Sequence, residues 1–304
     1  MSDAHKRESA PGYHRYTSLG LDLVAHTWGD PAHEPLLLLH GFLDQGRAFD
    51  AVASALSGDF FVIAPDHRGH GQSDWIGAGG YYHFPDYILD LTALVASLGY
   101  DRFRIAGHSM GAAIAAYYAG SFPDQVVALA MLDSLGPTRI SSDAGPETMR
   151  RWIDATHRAR NRAEPRMATL DDVAKKLART APHATHAQLL TIAPHAATFD
   201  AGQSGTNATE AGYRWRFDPL HRTPGAMGFD LDRFRCFLEA ITAPTLVVWG
   251  ETTPFFPADV ETRLSWLRDV RTFTLPGASH NLHHEQPVAL AATLRGFFLQ
   301  AGAP

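Results

Sequence analysis

The chain has 304 residues, of which 45% are hydrophobic and 19% charged, as in a globular protein with a large core. Its formal net charge of −6 argues against nucleic acid or an anionic membrane surface as a partner. The single cysteine, Cys236, excludes an intramolecular disulfide and a cysteine-based zinc site, and its neighbour Phe234 predicts a buried position. The polar first residues show no signal peptide and no apolar run reaches membrane-spanning length, so we expect a cytoplasmic location without membrane insertion.

The first 136 residues predict strands and helices in alternation. A polar, flexible N-terminus over 1–12 is followed by alternating apolar and polar residues that predict edge strands. Short continuous apolar runs further on are typical of strands buried on both faces of a parallel sheet. The predicted edge strands are 14–18 and 21–28, the buried strands are 36–39, 60–64, 103–106 and 126–132, and the helices are 46–56, 84–98 and the segment after 111. This order favours a parallel α/β sheet with right-handed crossovers.

The alternation stops after residue 136. No buried strand is predicted again until 245–249, and the residues between are rich in Ala, His and Arg. We interpret 137–230 as a helical cap inserted between sheet strands 6 and 7, over the edge where such sheets bind their ligands. The core would then comprise 13–136 and 231–304, the second part ending with a helix over 258–267, a strand over 271–275 and a helix from Pro287.

One motif has the context of a nucleophilic serine. Gly107-His108-Ser109-Met110-Gly111 follows an apolar strand and precedes an Ala-rich helical run. A serine on a sharp turn needs small flanking residues so that strand and helix can approach closely, and the helix N-terminus favours a developing anion. Ser109 is therefore the predicted nucleophile.

A serine hydroxyl also needs a general base and hydrogen-bond donors for the oxyanion. His280 leaves the last strand in Pro276-Gly277-Ala278-Ser279-His280, from which it can reach the same sheet edge, and we predict that it is the base. The predicted oxyanion donors are the backbone N–H groups of Met110, after the nucleophile, and Phe42, after His40-Gly41.

Other histidines and Asp44 receive structural interpretations. The ring of His40 is expected to bond loop backbone, and Asp44 to brace its own loop. A metal site at His283 and His284 is rejected because Glu285 is the only acid evident beside them. These two histidines are expected to face solvent or cap the last helix.

These motifs together resemble the α/β-hydrolase superfamily. The resemblance rests on His40-Gly41-Phe42-Leu43-Asp44, on the run from Asp66 to Ser73, on Gly107–Gly111 and on Gly277–His280, and it extends from about residue 20 to 300. The loop after His40 and the Leu132–Pro137 segment resemble its serine hydrolase-like, esterase or lipase-type branch. The resemblance implies the α/β-hydrolase fold, an acyl-enzyme route and no cofactor or metal.

The acid of the triad departs from the pattern of that family. Relatives carry an aspartate in the turn after the strand that follows the cap, and Thr253 stands at that place here. Some relatives supply the acid from the end of the preceding strand, where this chain has Asp133. We therefore predict Asp133, with Glu251 as the alternative.

The expected function is hydrolysis of small to medium carboxylic esters. Ser109 at the nucleophile position disfavours epoxide hydrolases and haloalkane dehalogenases, which use an aspartate there. The same triad would also serve a carbon–carbon bond hydrolase, a lactonase or an aminopeptidase. A non-catalytic ligand receptor is a third hypothesis, which the threonine at 253 favours and the intact Ser109 and His280 motifs oppose.

Overall fold

A computed structural model describes residues 11–137, 145–161, 164–202 and 210–301. Residues 1–10, most of the predicted N-terminal segment, lie outside this range, and so does part of the predicted cap. The described strands are β1 (Gly12–Ser18), β2 (Leu21–Trp28), β3 (Glu34–Leu39), β4 (Phe60–Pro65), β5 (Phe103–His108), β6 (Val126–Leu132), β7 (Ala197–Asp200), β8 (Gly212–Trp215), β9 (Thr245–Gly250) and β10 (Val270–Leu275).

Eight of these strands form one mostly parallel sheet. Its order is β1-β2-β4-β3-β5-β6-β9-β10. Strand β2 pairs antiparallel with both β1 and β4, and every pair from β4 to β10 is parallel. The carboxyl ends of β3, β5, β6 and β9 therefore lie side by side at one edge. The predicted parallel α/β sheet is confirmed, and this edge receives the loops that carry the candidate site.

Helices cover both faces of the sheet. The α-helices are α1 (Asp50–Leu56), α2 (Phe84–Leu98), α3 (Met110–Ser121), α4 (Pro146–Asn161), α5 (Leu170–Leu177), α6 (His186–Ala196), α7 (Leu231–Ala240), α8 (Val260–Leu264), α9 (Leu282–Glu285) and α10 (Pro287–Gln300), with 3-10 turns at Gly46–Phe49 and Pro219–Arg222. Apolar residues of α2, α3 and α7 pack on one face, and those of α1 and α10 pack on the other. Alternate residues of the buried strands contribute to the two cores, which is why their sequences are apolar throughout.

The segment between β6 and β9 has a small apolar core of its own, which includes Met167, Val173, Leu189 and Ala193. It is not purely helical, because β7 and β8 pair as an antiparallel ribbon that the composition did not predict. Helix α5 begins with a capping box, in which Thr169 and Asp172 exchange side-chain and backbone hydrogen bonds.

Two local predictions are wrong. Cys236 is exposed, because Phe234 and Leu238 define the buried face of α7 and a residue two positions after Phe234 points away from it. The helix predicted over 258–267 is the shorter α8, after which i→i+3 hydrogen bonds form turns up to Leu267. Among the described helices, none has the length and apolarity needed to cross a membrane.

Candidate active site

Ser109 stands on a strained turn between β5 and α3. Its φ of 51° and ψ of −113° are rare for a residue with a side chain. A Cβ on Gly107 would lie 2.2 Å from the carbonyl oxygen of Gly111, and one on Gly111 would lie 2.3 Å from that of Leu39. Both glycines are needed for this close approach, as the motif indicated.

His280 contacts both of its predicted partners. Its Nε2 lies 3.1 Å from Ser109 Oγ, and its Nδ1 lies 2.6 Å from Asp133 Oδ2. Because an ionised carboxylate only accepts, the imidazole proton belongs on Nδ1, which leaves Nε2 free to accept from the serine hydroxyl. The three side chains form one continuous chain of hydrogen bonds, whose members lie up to 171 positions apart in sequence.

Asp133 is buried and is held by three further hydrogen bonds. It is 1% exposed, and its backbone N–H donates to Val248 across the pairing of β6 with β9. Gly250 N–H donates to Oδ1 at 2.8 Å. The hydroxyl of Thr253 donates to Oδ2 at 2.5 Å, so the residue at the position of the usual aspartate contacts Asp133 itself.

Glu251, the alternative acid, bonds Gly277 and not His280. It is exposed, and its carboxylate accepts a hydrogen bond from Gly277 N–H at 2.9 Å. Glu285 is buried and accepts from both the backbone N–H and the hydroxyl of Ser279, which braces the loop before His280.

The loop after β3 runs beside Ser109. A Cβ on Gly41 would lie 3.3 Å from Ser109 Cβ, and Phe42 follows with a half-exposed ring in the cleft. Met110 is the first residue of α3, so its N–H has no partner within the helix. No described residue accepts a hydrogen bond from the Phe42 or Met110 N–H. The predicted oxyanion donors thus lie in the two segments next to Ser109, one in the loop after β3 and the other at the start of α3.

These groups line a cleft of about 1160 Å³ between the sheet edge and the inserted segment. Its apolar wall comes from both parts of the chain: Phe42, Met110, Leu177, Trp215, Phe217 and Phe255. Trp215 and Phe217 belong to the inserted segment, whereas Met167 of the same segment packs in its own core.

A model of the family described as the alpha/beta hydrolase fold matches residues 34–287. The chain belongs to the α/β-hydrolase family. The resemblance inferred from the motifs is therefore confirmed, and the protein is a member of a family of hydrolases.

Relatives of this α/β-hydrolase include several named hydrolases. The 3-hydroxybutyrate-oligomer hydrolase of Cupriavidus necator is 38% identical over 130 residues, which is 42% of each chain. A serine hydrolase-like protein of Danio rerio is 24% identical over 294 residues, 93% of this chain and 86% of that one. The crystal structure of a hypothetical protein of Pseudomonas aeruginosa PAO1 is 26% identical, with a TM-score of 0.81 over 94% of this chain and 99% of that one.

The hydrolase buries His283 and His284, contrary to their predicted solvent-facing or capping positions. They are 2% and 4% exposed, and their Nε2 atoms lie 2.9 and 3.5 Å from Asp44 Oδ2. Asp44 supplies the acid that the sequence did not reveal, and the three donor atoms lie within 4.8 Å of one another. This set could hold a divalent cation, although the His283–Asp44 hydrogen bond alone already braces the loop after β3.

A second group of buried histidines supports the same edge of this hydrolase. His40 Nδ1 bonds the carbonyl of Gly41 and its Nε2 accepts from His67 N–H, the structural role predicted for it. Rings of His40, His67 and His70 pack within 4.2 to 6.5 Å of one another. Burial lowers the pKa of His67 to about 3 and that of His70 to about 4.

We expect the hydrolase to lose stability steeply below neutral pH. Burial also lowers the pKa of His283 to about 4 and that of His221 to about 2, so these rings stay neutral in the folded chain. In the unfolded chain they regain a pKa near 6.5. Between about pH 6.5 and 4 the unfolded state binds more protons, and each such histidine removes up to about 1.4 kcal/mol of stability per unit fall in pH.

Urea midpoints measured at pH 7.5, 6.5 and 5.5 test this expectation. His70→Gln should make the free energy of unfolding less dependent on pH, whereas His14→Gln should not, because His14 lies on the edge strand β1 and bonds only Ser97 in the described structure. A midpoint that does not change between pH 7.5 and 5.5 would contradict the neutral, buried state of these rings.

Proposed function

We propose that this hydrolase cleaves carboxylic esters of small to medium size through an acyl-enzyme on Ser109. The observation that carries the proposal is the hydrogen-bond chain from Ser109 through His280 to Asp133. The backbone N–H groups of Phe42 and Met110 in the adjoining segments have no acceptor among the described residues. Its hydrolase relatives, one of them a 3-hydroxybutyrate-oligomer hydrolase, agree with this class of reaction.

In the first half of the reaction, Ser109 Oγ attacks the ester carbonyl carbon while His280 Nε2 takes the hydroxyl proton. The carbonyl oxygen becomes an anion, which the N–H groups of Phe42 and Met110 stabilise. The bond to the alcohol oxygen then breaks, and that oxygen leaves with the proton from His280. Asp133 holds the imidazole in the required tautomer and stabilises its charged form.

In the second half, a water molecule attacks the acyl carbon of the ester formed with Ser109. His280 takes a proton from this water and returns it to Ser109 Oγ as the bond to the serine breaks. One water is consumed, and a carboxylic acid and an alcohol are released. The residues of 137–230 serve in this proposal as the cap, and Trp215 and Phe217 cover the acyl chain.

A series of p-nitrophenyl esters from acetate to palmitate tests this function. We expect turnover with an optimum at short or medium chains, and a Ser109 peptide heavier by one acyl group after acid quenching. If the enzyme hydrolyses none of these esters but does cleave a carbon–carbon bond, a lactone or an N-terminal peptide bond, the corresponding alternative replaces the ester proposal. Ligand binding without turnover of any of them would support the receptor hypothesis.

The contact between Thr253 and Asp133 predicts a moderate kinetic effect. Thr253→Val removes the hydroxyl that donates to Asp133 Oδ2, and we expect kcat to fall about tenfold, the usual value of one hydrogen bond to a charged group. KM should change little, because Thr253 does not line the cleft. Thr253→Ser keeps the hydroxyl and should restore most of the activity. Equal kcat values for the valine and serine variants would show that the hydroxyl does not support the acid.

A further inference from the structure

Two basic side chains at the end of α5 line the cleft without an ionic partner among the described residues, and a third basic residue of the cleft, Arg222, lies over the ring of Phe217. Lys176 in the last turn of α5 and Arg179 just after it share the cleft with Ser109 and His280. Among the described residues, neither makes an ion pair or a side-chain hydrogen bond, whereas the adjacent Lys175 pairs with Asp171 at 2.6 Å. An unpaired cation beside a largely apolar cleft attracts an anionic group of the bound molecule.

The segment that carries this basic pair is tied to the loops of the active site. Asn281, the residue after His280, donates its side-chain N–H to the carbonyl of Thr180 at 2.6 Å. His183 N–H donates to the buried carboxylate of Glu285, and the His183 ring lies 2.9 Å from Thr252 Oγ1. These contacts hold the end of α5 against the His280 loop, so the basic pair keeps its place relative to the reacting atoms.

The carboxylates of the cleft are occupied by other groups. Asp133 accepts from His280, Thr253 and Gly250, and Asp44 lies against His283 and His284. Glu164 lies in the field of Arg222, Arg214 and Arg166, although burial raises its pKa. The charge of Lys176 and Arg179 is therefore not neutralised from within the described part of the cleft.

The proton transfer from His280 to the leaving alcohol indicates which half of the substrate lies near Lys176 and Arg179. His280 must give its proton to the alcohol oxygen, so the alcohol half lies on the His280 side of Ser109. That side continues through Asn281 to Thr180, next to Arg179. We propose that Lys176 and Arg179 bind a carboxylate carried by the alcohol half, so that the substrates are esters of hydroxy acids.

This inference rests on the ester hydrolysis proposed above and names its substrate class. Water adds across the ester bond as before, and the released alcohol is a hydroxy acid whose carboxylate does not react. The basic pair acts on binding and orientation, and Lys176 and Arg179 are specificity-determining residues in this scheme.

Two phenyl acetates that differ only in charge test the proposal. In 3-acetoxybenzoate the leaving phenol carries a carboxylate, and in 3-acetoxybenzamide it carries a neutral group of similar size. We expect the wild type to prefer the benzoate in kcat/KM by about tenfold through a lower KM, and to lose much of this preference in 0.5 M NaCl, because the charges are partly exposed to solvent.

Lys176→Gln, Arg179→Gln and the double variant should reduce this preference, and the double variant should treat the two esters nearly alike. Their kcat/KM should fall much more for the benzoate than for the neutral benzamide, because only the benzoate carries the charge that the basic pair attracts. Lys175→Gln is the matched control, because it removes the same charge from the same helix at a residue that is paired and does not line the cleft. Its preference should equal that of the wild type.

Three results would overturn the inference. These are equal kcat/KM for the two esters in the wild type, a preference that survives in the double variant, and a carboxylate preference found only for the acyl half, measured with mono-p-nitrophenyl glutarate against p-nitrophenyl valerate. In each case, turnover of the neutral esters would leave the ester hydrolase proposal standing. Failure of the wild type to hydrolyse any ester would instead contradict that underlying proposal.

Discussion

Ser109→Ala is expected to lower kcat for ester hydrolysis by about 10⁵- to 10⁶-fold, which would leave only the rate that bound substrate and the oxyanion donors support. The variant has no hydroxyl to form the acyl-enzyme, while the cleft and the His280–Asp133 pair remain. KM or ligand affinity should change by less than about threefold. The measurement is steady-state kinetics on the best p-nitrophenyl ester, with intact mass spectrometry to detect the acyl adduct.

Ser134→Ala is the control for this variant. Ser134 lines the same cleft and follows Asp133, so the substitution removes a nearby hydroxyl of the same kind. We expect its kcat to stay within a few-fold of the wild type. Substantial turnover by Ser109→Ala, with an adduct on another residue, would contradict Ser109 as the nucleophile.

Asp133→Asn is expected to lower kcat by about 10⁴-fold. The amide keeps the size of the side chain but loses the charge that stabilises the imidazolium. If its NH₂ group takes the place of Oδ2, it sets a hydrogen-bond donor against two other donors, the N–H of His280 and the hydroxyl of Thr253. Thermal unfolding of the variant separates this effect from a loss of the buried contact with Gly250.

Glu251→Gln is the matched control for Asp133→Asn. The same charge is removed from the turn where the sequence offered a second acid, but the Glu251 carboxylate bonds Gly277 N–H instead of His280. We expect its kcat to remain within about threefold of the wild type. A loss of less than tenfold for Asp133→Asn, together with a large loss for Glu251→Gln, would reverse the assignment of the acid.

The sheet could be predicted from local patterns because burial on both faces selects continuous apolar runs. Strand β6 has the predicted bounds, and β3 differs by two residues at its start, where Glu34 and Pro35 interrupt the apolar pattern. The need for glycine on both sides of Ser109 could also be predicted, since the contacts that exclude a Cβ there arise from the strand-turn-helix geometry itself. The ribbon of β7 and β8 could not, because two four-residue strands have no periodicity of their own.

The burial of His283 and His284 shows where local sequence reasoning stops. The two residues follow His280 by three and four positions, but their partner Asp44 is 239 positions away from His283. A polar residue is stable inside only if it finds a hydrogen-bond partner, and that partner comes from a loop after a different strand. The same limit applies to Lys176 and Arg179, whose position beside the cleft depends on the contacts of Asn281 and His183.

By itself, the sequence determined the order of the strands of the main sheet, the turn that exposes Ser109, and His280 as the histidine that leaves the last strand at the same edge. Only the tertiary structure decided what Thr253 and Asp133 do for each other. They lie 120 positions apart and meet because β6 pairs with β9 in a register that sets Leu132 beside Val248. Strand register arises from packing over the whole sheet, so no local stretch of sequence encodes a contact between the ends of two strands.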